Sequence, residues 1–343
     1  MQTIHGGDVY NNQIDIDFSV SVNPLGTPQN VREAISSAVE NMNRYPDYHN
    51  TEVLKALSKM HDIPEECILC GNGSSELFMA ICHAFSPRFA YLAAPSFYGY
   101  IHALNASKTE IIYSNMLQND DGFDLDCDLP NLLKNADMII LGNPNNPTGK
   151  LFDGKLLVKI ADECEANGTI FVLDECFIDF CEGNPSLIDY TKKYKNLIIV
   201  CSFTKNYAIP GVRIGYLICG DKEKILSIKE QIPEWNVSAF SSKAAAACCE
   251  DKTHLEETVK FVKKEREKLR ESLEKNGVKV YESDANFMLI KTDENLGDEL
   301  LKKHVLIRDC SNFTGLSKGY YRIAVKSEEE NAVLIKYVKE ILK

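Results

Sequence analysis

Between about residues 31 and 225 the chain alternates two apolar patterns. Continuous short runs such as Met138-Ile139-Ile140-Leu141 and Leu197-Ile198-Ile199-Val200-Cys201 are bounded by Gly, Pro, Asn or Ser. Runs of this kind read as strands buried on both faces. They fall at 68–71, 89–93, 110–113, 138–142, 169–174, 197–202 and 214–218. Amphipathic stretches at 31–42, 51–60, 75–85, 97–106 and 154–166 lie between them and predict helices. The alternation predicts an α/β fold with a mostly parallel seven-stranded sheet covered on both faces, a large domain over residues 31–232. Past Pro233 the pattern changes to charged helices at 238–250 and 253–275. Short strands near 278–281 and 286–291, a segment at 304–308, a strand at 320–325 and a helix from about 328 follow. Residues 233–343 therefore read as a smaller α+β domain. Residues 1–30 are irregular, rich in Gly, Asn and Pro, and predict an arm packed on that domain and on whatever site it borders.

Composition narrows the classes. A net charge of -12 argues against nucleic acid, whose phosphates reward basic patches. An anionic ligand would have to be met by local arginines. No long uncharged apolar run suggests a membrane span or a leader, so the expectation is a cytoplasmic protein with no membrane partner. The 12 cysteines lie largely inside apolar runs and read as small buried hydrophobes in a reducing compartment. Cys67-x-x-Cys70 lacks a second pair, and no metal site is expected.

The candidate chemistry sits at strand ends. Lys205 lies in Ser202-Phe203-Thr204-Lys205, right after an apolar strand, with Arg213 eight residues on. A lysine shielded from water holds its proton less tightly and becomes an amine nucleophile toward an aldehyde. Ser202, Thr204 and Arg213 would supply donors to a phosphate beside it. That set is what a pyridoxal phosphate (PLP) Schiff-base site needs. The competing reading is an exposed lysine after a strand. Asp174 ends the run Phe171-Val172-Leu173, and Asn143-Pro144-Asn145-Asn146-Pro147-Thr148-Gly149 follows another strand. Ligands of open α/β sheets sit outside the carboxyl ends of strands, so these segments point to one crevice. An aspartate there would keep a pyridine nitrogen protonated. Gly73-Ser74-Ser75 opens a helix and offers backbone N–H groups to a phosphate, with simple capping as the alternative.

The order Gly-Asn-Gly-Ser-Ser-Glu (71–76), Pro95-Ser96-Phe97, Asn-Pro-Asn-Asn-Pro-Thr-Gly, Asp174-Glu-Cys-Phe-Ile-Asp-Phe and Ser-Phe-Thr-Lys…Arg213 resembles fold type I PLP enzymes of the class I/II aminotransferase superfamily. More narrowly, it resembles the branch holding histidinol-phosphate aminotransferase and threonine-phosphate decarboxylase. The resemblance runs from His5 to about Lys326. The opening His5-Gly6-Gly7-Asp8, the segment Asp17-Phe18-Ser19…Asn23-Pro24-Leu25-Gly26, and Phe177-Ile178-Asp179-Phe180 lean toward the decarboxylase. So do Ala208-Ile209-Pro210-Gly211 and Val305-Leu306-Ile307-Arg308…Tyr321-Arg322-Ile323.

The resemblance implies an aspartate aminotransferase-like fold and roles for particular residues. Lys205 and Asp174 would be catalytic. Gly73, Ser74, Ser75, Ser202, Thr204 and Arg213 would hold the cofactor phosphate. Phe97 would stack on the ring, with Tyr98 and Tyr100 as competing aromatics, and Asn146 would donate to the phenolic oxygen. Tyr45 would reach across a homodimer to the partner's PLP, against the alternative of a core tyrosine. His5, Gly6, Asn23, Arg308 and Arg322 would meet the substrate, Arg308 and Arg322 holding a phosphate and a carboxylate; an ion pair with an acid is their structural alternative. Phe177 stands where aminotransferases commonly carry tyrosine. Ser21 and Lys326 depart from the branch's usual asparagine and arginine.

The expected activity is decarboxylation of a phospho-amino acid, O-phospho-L-threonine or a phosphoserine or phosphonate analogue. In the decarboxylases this resembles, the product feeds cobalamin biosynthesis. Transamination, for example of histidinol phosphate with 2-oxoglutarate, is the alternative, and a PLP-binding regulator a remoter one.

Overall fold

The computed structural model describes residues 5–120, 122–129, 133–251, 253–292 and 295–342. Seven strands form the main sheet. In spatial order they are Ile68–Gly71, Gly215–Cys219, Leu197–Ser202, Ile170–Asp174, Met138–Gly142, Phe89–Ala94 and Glu110–Asn115. Gly215–Cys219 runs antiparallel to both neighbours, and the other pairings are parallel. The expected α/β fold is therefore present. Pairing adds one feature that the sequence did not suggest, a two-stranded ribbon of Leu117–Gln118 and Phe123–Asp124.

Strand alternation divides the core between the sheet's two faces. Leu197, Ile199 and Cys201 pack in one cluster with Leu57, Leu157, Ile160 and Cys248, from helices Thr51–His61, Gly154–Asn167 and Ala239–Glu250. Ile198 and Val200 pack in the other with Leu77, Ile81, Leu104 and Ile228, from helices Ser74–Phe85, Tyr98–Ala106 and Lys222–Lys229. A strand buried on both sides needs no polar alternation, which is why these runs are continuously apolar.

A four-stranded antiparallel sheet has the order Lys279–Val280, Phe287–Lys291, Tyr320–Ala324, Arg308–Asp309. Helix His254–Glu274 contributes Leu269 and Leu273 to its core, and helix Glu328–Ile341 contributes Leu334 and Val338. The capping box of Ser327 and Glu330 starts the latter helix. Ile16–Asp17 pairs in parallel with Val305–Leu306, and Phe18 is fully buried in the same core. A fourth cluster lies between the two sheets: Cys176, Phe177 and Phe180 meet Val262, Ala285 and Phe287.

Candidate active site

The carboxyl ends of Ile170–Asp174, Met138–Gly142 and Leu197–Ser202 open onto a cavity of about 310 Å³. Asp174, Asn146, Ser202, Thr204 and Lys205 line it from the sheet; Ser74, Ser75, Phe97 and Arg213 from neighbouring turns; and His5, Gly6, Ser21 and Arg322 from the arm and the smaller sheet. These thirteen positions, scattered from residue 5 to residue 322 of the sequence, come together at one place, and most of the expected set is among them.

Each side chain is aimed by local backbone chemistry. Ser202 ends its strand and caps the short helix Phe203–Asn206, its Oγ accepting from the Thr204 N–H at 3.2 Å. The two hydroxyls lie 2.7 Å apart. Lys205 follows one residue later, and its carbonyl accepts the Asn23 N–H at 2.8 Å, tying the arm behind it. Burial lowers the lysine's proton affinity, and the charges of Arg322 and Arg213 push the same way, against Cys176 and Asp174. Asp174 is shifted the other way. Burial raises its pKa, opposed by hydrogen bonds from Cys176 and Tyr100 and by the Lys205 charge.

Gly73 shows why a glycine precedes the serines. Its φ is +80°, and a Cβ there would stand 2.3 Å from Arg213 NH2. The missing side chain lets the Arg213 guanidinium lie against the N-terminus of helix Ser74–Phe85. Free N–H groups, the positive end of the helix dipole and an arginine then face the same space. At the opposite end, Arg322 NH1 donates to Asn146 Oδ1 at 2.7 Å and NH2 to the Ser19 carbonyl at 2.7 Å. Its Nε is buried without a hydrogen-bond partner among the described residues. With Oδ1 held by Arg322, Asn146 presents its NH2, not its carbonyl, to the remaining space. Arg308 is the cross-strand partner of Arg322. It lines an adjoining cavity of about 240 Å³ and donates to Asn312 Oδ1 at 2.8 Å. His5 and Gly6 border both cavities. A Cβ at Gly6 would stand 2.4 Å from the Ser19 carbonyl, so only glycine lets the arm lie this close.

Two expected residues lie elsewhere in the chain's own structure. Asn23 does not line the cavity. Its amide donates to the Asn206 carbonyl at 2.7 Å and to Thr258 Oγ1 at 2.6 Å, and lies 2.9 Å from His254 Nε2. Ser21 faces the cavity in its place, its hydroxyl buried with no hydrogen-bond partner among the described residues. Tyr45 is 80% exposed, its ring centroid 4.8 Å from that of Trp235, and reaches no part of this cavity. Sequence reasoning passed over Cys176, which lines the cavity, and weighed Tyr100 only as an aromatic alternative to Phe97, whereas it hydrogen-bonds Asp174 from behind the cavity. The two-residue spacing from Asp174 was the available signal for Cys176. Among the described residues, no cluster of His, Cys, Asp and Glu could hold a metal.

A family model described as aminotransferase class I and II matches residues 13–338. This chain belongs to that family. It is 34% identical over 332 residues to a threonine-phosphate decarboxylase from Salmonella typhimurium, covering 95% of this chain and 91% of the relative. The crystal structure of a histidinol-phosphate aminotransferase from Clostridium acetobutylicum superposes with a TM-score of 0.90 at 31% identity, covering 95% of this chain and 99% of the other. That of L-threonine-O-3-phosphate decarboxylase from Porphyromonas gingivalis gives 0.86 at 26%, with coverage of 95% and 99%.

Membership in the aminotransferase class I and II family implies PLP as cofactor, and the residues present fit it. The helix N-terminus with Arg213 suits a phosphate, Lys205 has the lowered proton affinity that an aldehyde-reactive amine needs, and Asp174 suits a protonated ring nitrogen. Among the described residues, no helix is long and apolar enough to cross a membrane.

Proposed function

We propose that this chain is a PLP-dependent decarboxylase of a phospho-amino acid, with O-phospho-L-threonine as the leading substrate. The observation that carries this reading is the arm. It lays His5 and Gly6 beside Arg322 in one cavity and beside Arg308 in the next, so two cavities that each hold an arginine adjoin one amine. A substrate with both a carboxylate and a phosphate matches that layout. The 34% identity to a threonine-phosphate decarboxylase supports the same choice.

PLP, when bound, supplies an electron sink for the bond broken at the substrate's Cα. The chain's residues decide which bond that is. Ser74, Ser75, Ser202, Thr204 and Arg213 would hold the cofactor's phosphate, Phe97 would cover one ring face, and Asn146 would donate its NH2 to the phenolic oxygen. Asp174 would keep the ring nitrogen protonated. Arg322 and Arg308, helped by His5, would fix the substrate's anionic groups and so decide which bond at Cα is presented to the electron sink. Lys205 would be the group placed to return a proton to the substrate's Cα. Phe177 packs edge-on against Phe287 at 4.9 Å and has no hydroxyl to give. Where an aminotransferase's tyrosine would give the phenolic oxygen a second donor, this chain would offer it the Asn146 NH2 without that hydroxyl.

Carboxyl-labelled phosphothreonine should release ¹⁴CO₂ with the purified holoenzyme, and borohydride should fix the cofactor on Lys205. Conversion of histidinol phosphate with 2-oxoglutarate, without CO₂ from phosphothreonine, phosphoserine or a phosphonate analogue, would overturn the decarboxylase reading in favour of transamination.

A further inference from the structure

Phe97 and Asp174 face the cavity, but the side chain joining them stands behind it. Tyr100 follows Phe97 by three residues, in the first turn of helix Tyr98–Ala106, and is 1% exposed. Its hydroxyl donates to Asp174 Oδ2 at 2.5 Å. Its ring is wedged edge-on between Phe78, at 5.0 Å and 72°, and Phe97, at 5.5 Å and 84°. The hydroxyl has room because residue 142 is glycine, where a Cβ would stand 3.0 Å from it. On the other side, Asp174 Oδ1 accepts the Cys176 N–H at 2.9 Å. Burial, the main influence on Asp174, favours its neutral form, and a donor to the carboxylate opposes that. Burial and the neighbouring Asp174 charge push the Tyr100 hydroxyl well above the ordinary tyrosine range, so it stays a donor.

We propose that Tyr100 is a positioning residue that fixes the Asp174 carboxylate as the charged acceptor for the cofactor's ring nitrogen and backs the Phe97 wall with the same ring. The proposal rests on the cofactor part of the reading above and is independent of the choice between decarboxylation and transamination. Each carboxylate oxygen has two lone pairs. The Tyr100 hydroxyl and the Cys176 N–H each hold one oxygen and the Cys176 thiol adds a further hydrogen bond, so the group is held against rotation yet keeps a lone pair for another donor. A hydrogen bond to an ion is about twice as strong as a neutral one, so losing the hydroxyl would weaken the grip and leave the acid more easily neutralised.

The test titrates the apo forms of wild type, Tyr100→Phe, Asp174→Asn and the double variant with PLP and with its 1-deaza analogue, which has carbon in place of the ring nitrogen. Tyr100→Phe should raise the Kd for PLP by roughly tenfold, as expected for loss of a hydrogen bond to a charged group. Affinity for the analogue should stay within about twofold, because that ligand makes no demand on Asp174. In the Asp174→Asn background Tyr100→Phe should add almost nothing, the signature of two residues acting as one. Equal weakening of both ligands, or no weakening of PLP, would overturn the proposal. Should Tyr100→Phe not fold, a fluorotyrosine at position 100, near the same size and a stronger donor, decides it: PLP should tighten with the analogue unchanged, and an unchanged PLP affinity overturns the idea. A wild-type protein that binds no PLP would instead overturn the cofactor reading, and this proposal with it.

Discussion

His61 lies outside the cofactor cavity, at the end of helix Thr51–His61, with Nε2 2.8 Å from the Tyr216 hydroxyl. Burial holds its pKa at about 4, well under the ordinary 6.5, with Asp189 opposing only weakly. Between those values the unfolded chain binds a proton that the native protein refuses. Stability is therefore complete above about pH 6.5 and falls as pH drops toward 4. A shift of this size corresponds to on the order of 3 kcal/mol over the whole window. His61→Gln keeps a polar partner for Tyr216 and removes the titration. Urea unfolding at pH 7 and pH 5 should show a smaller acid-dependent loss in the variant; an identical loss would contradict the assignment. Other single residues were legible without a structure because their position on a strand end already limits what they can do. Lys205 and Asp174 are of this kind, whereas the role expected of Asn146 came from the family resemblance. Tyr100 was not legible, since its partner is 74 residues away and depends on how one helix settles beside the sheet.

Among the elements, strand Tyr320–Ala324 does most to assemble the substrate side. It pairs with Phe287–Lys291 and with Arg308–Asp309 and sends Arg322 across to Asn146 and to Ser19 of the arm. One guanidinium thus joins three segments that are remote in sequence, with the Phe287 ring 5.3 Å from its centre. Lysine keeps the charge and loses the fork. Arg322→Lys and Arg308→Lys should each lower kcat/KM by roughly 10- to 100-fold, from about 1.5–3 kcal/mol for a charged hydrogen bond. A loosened substrate should also let the Cα–H bond align with the ring, so pyridoxamine phosphate should accumulate faster relative to ¹⁴CO₂. An unchanged ratio in both variants would show that these arginines do not select the bond. The arm illustrates where pattern reading stops. The family resemblance implied substrate contact for Asn23, whereas in this chain's structure that side chain meets His254 and Thr258 and Ser21 lines the cavity. Polar composition says that a residue needs partners, not whether they come from the chain or from a ligand.

At the scale of the whole molecule, Tyr45, Tyr48 and Trp235 form an exposed aromatic patch, Trp235 lying 4.8 Å from Tyr45 and 5.8 Å from Tyr48. Met42 and Val39 are exposed in the same stretch of chain. Clustered apolar exposure of this kind marks an interaction surface. If Tyr45 completes the cofactor site of a second copy, association and PLP affinity are coupled. Dilution should then lower cofactor occupancy and turnover together, and Tyr45→Ala should weaken PLP binding. A fully active monomer by light scattering would refute the coupling.

The sequence by itself determined the alternation of strands and helices, the mostly parallel sheet and the strand-end location of the chemistry. Hydrophobic period and backbone punctuation are local properties, and a parallel sheet leaves its ligands one edge to occupy. Only the tertiary structure decided that Gly73 makes room for Arg213, that Arg322 binds the arm to Asn146, and that Tyr100 holds Asp174. These contacts depend on distances between side chains far apart in the chain, which are set when the two sheets, the arm and the helices pack at their final separations and close-packed interiors leave no slack.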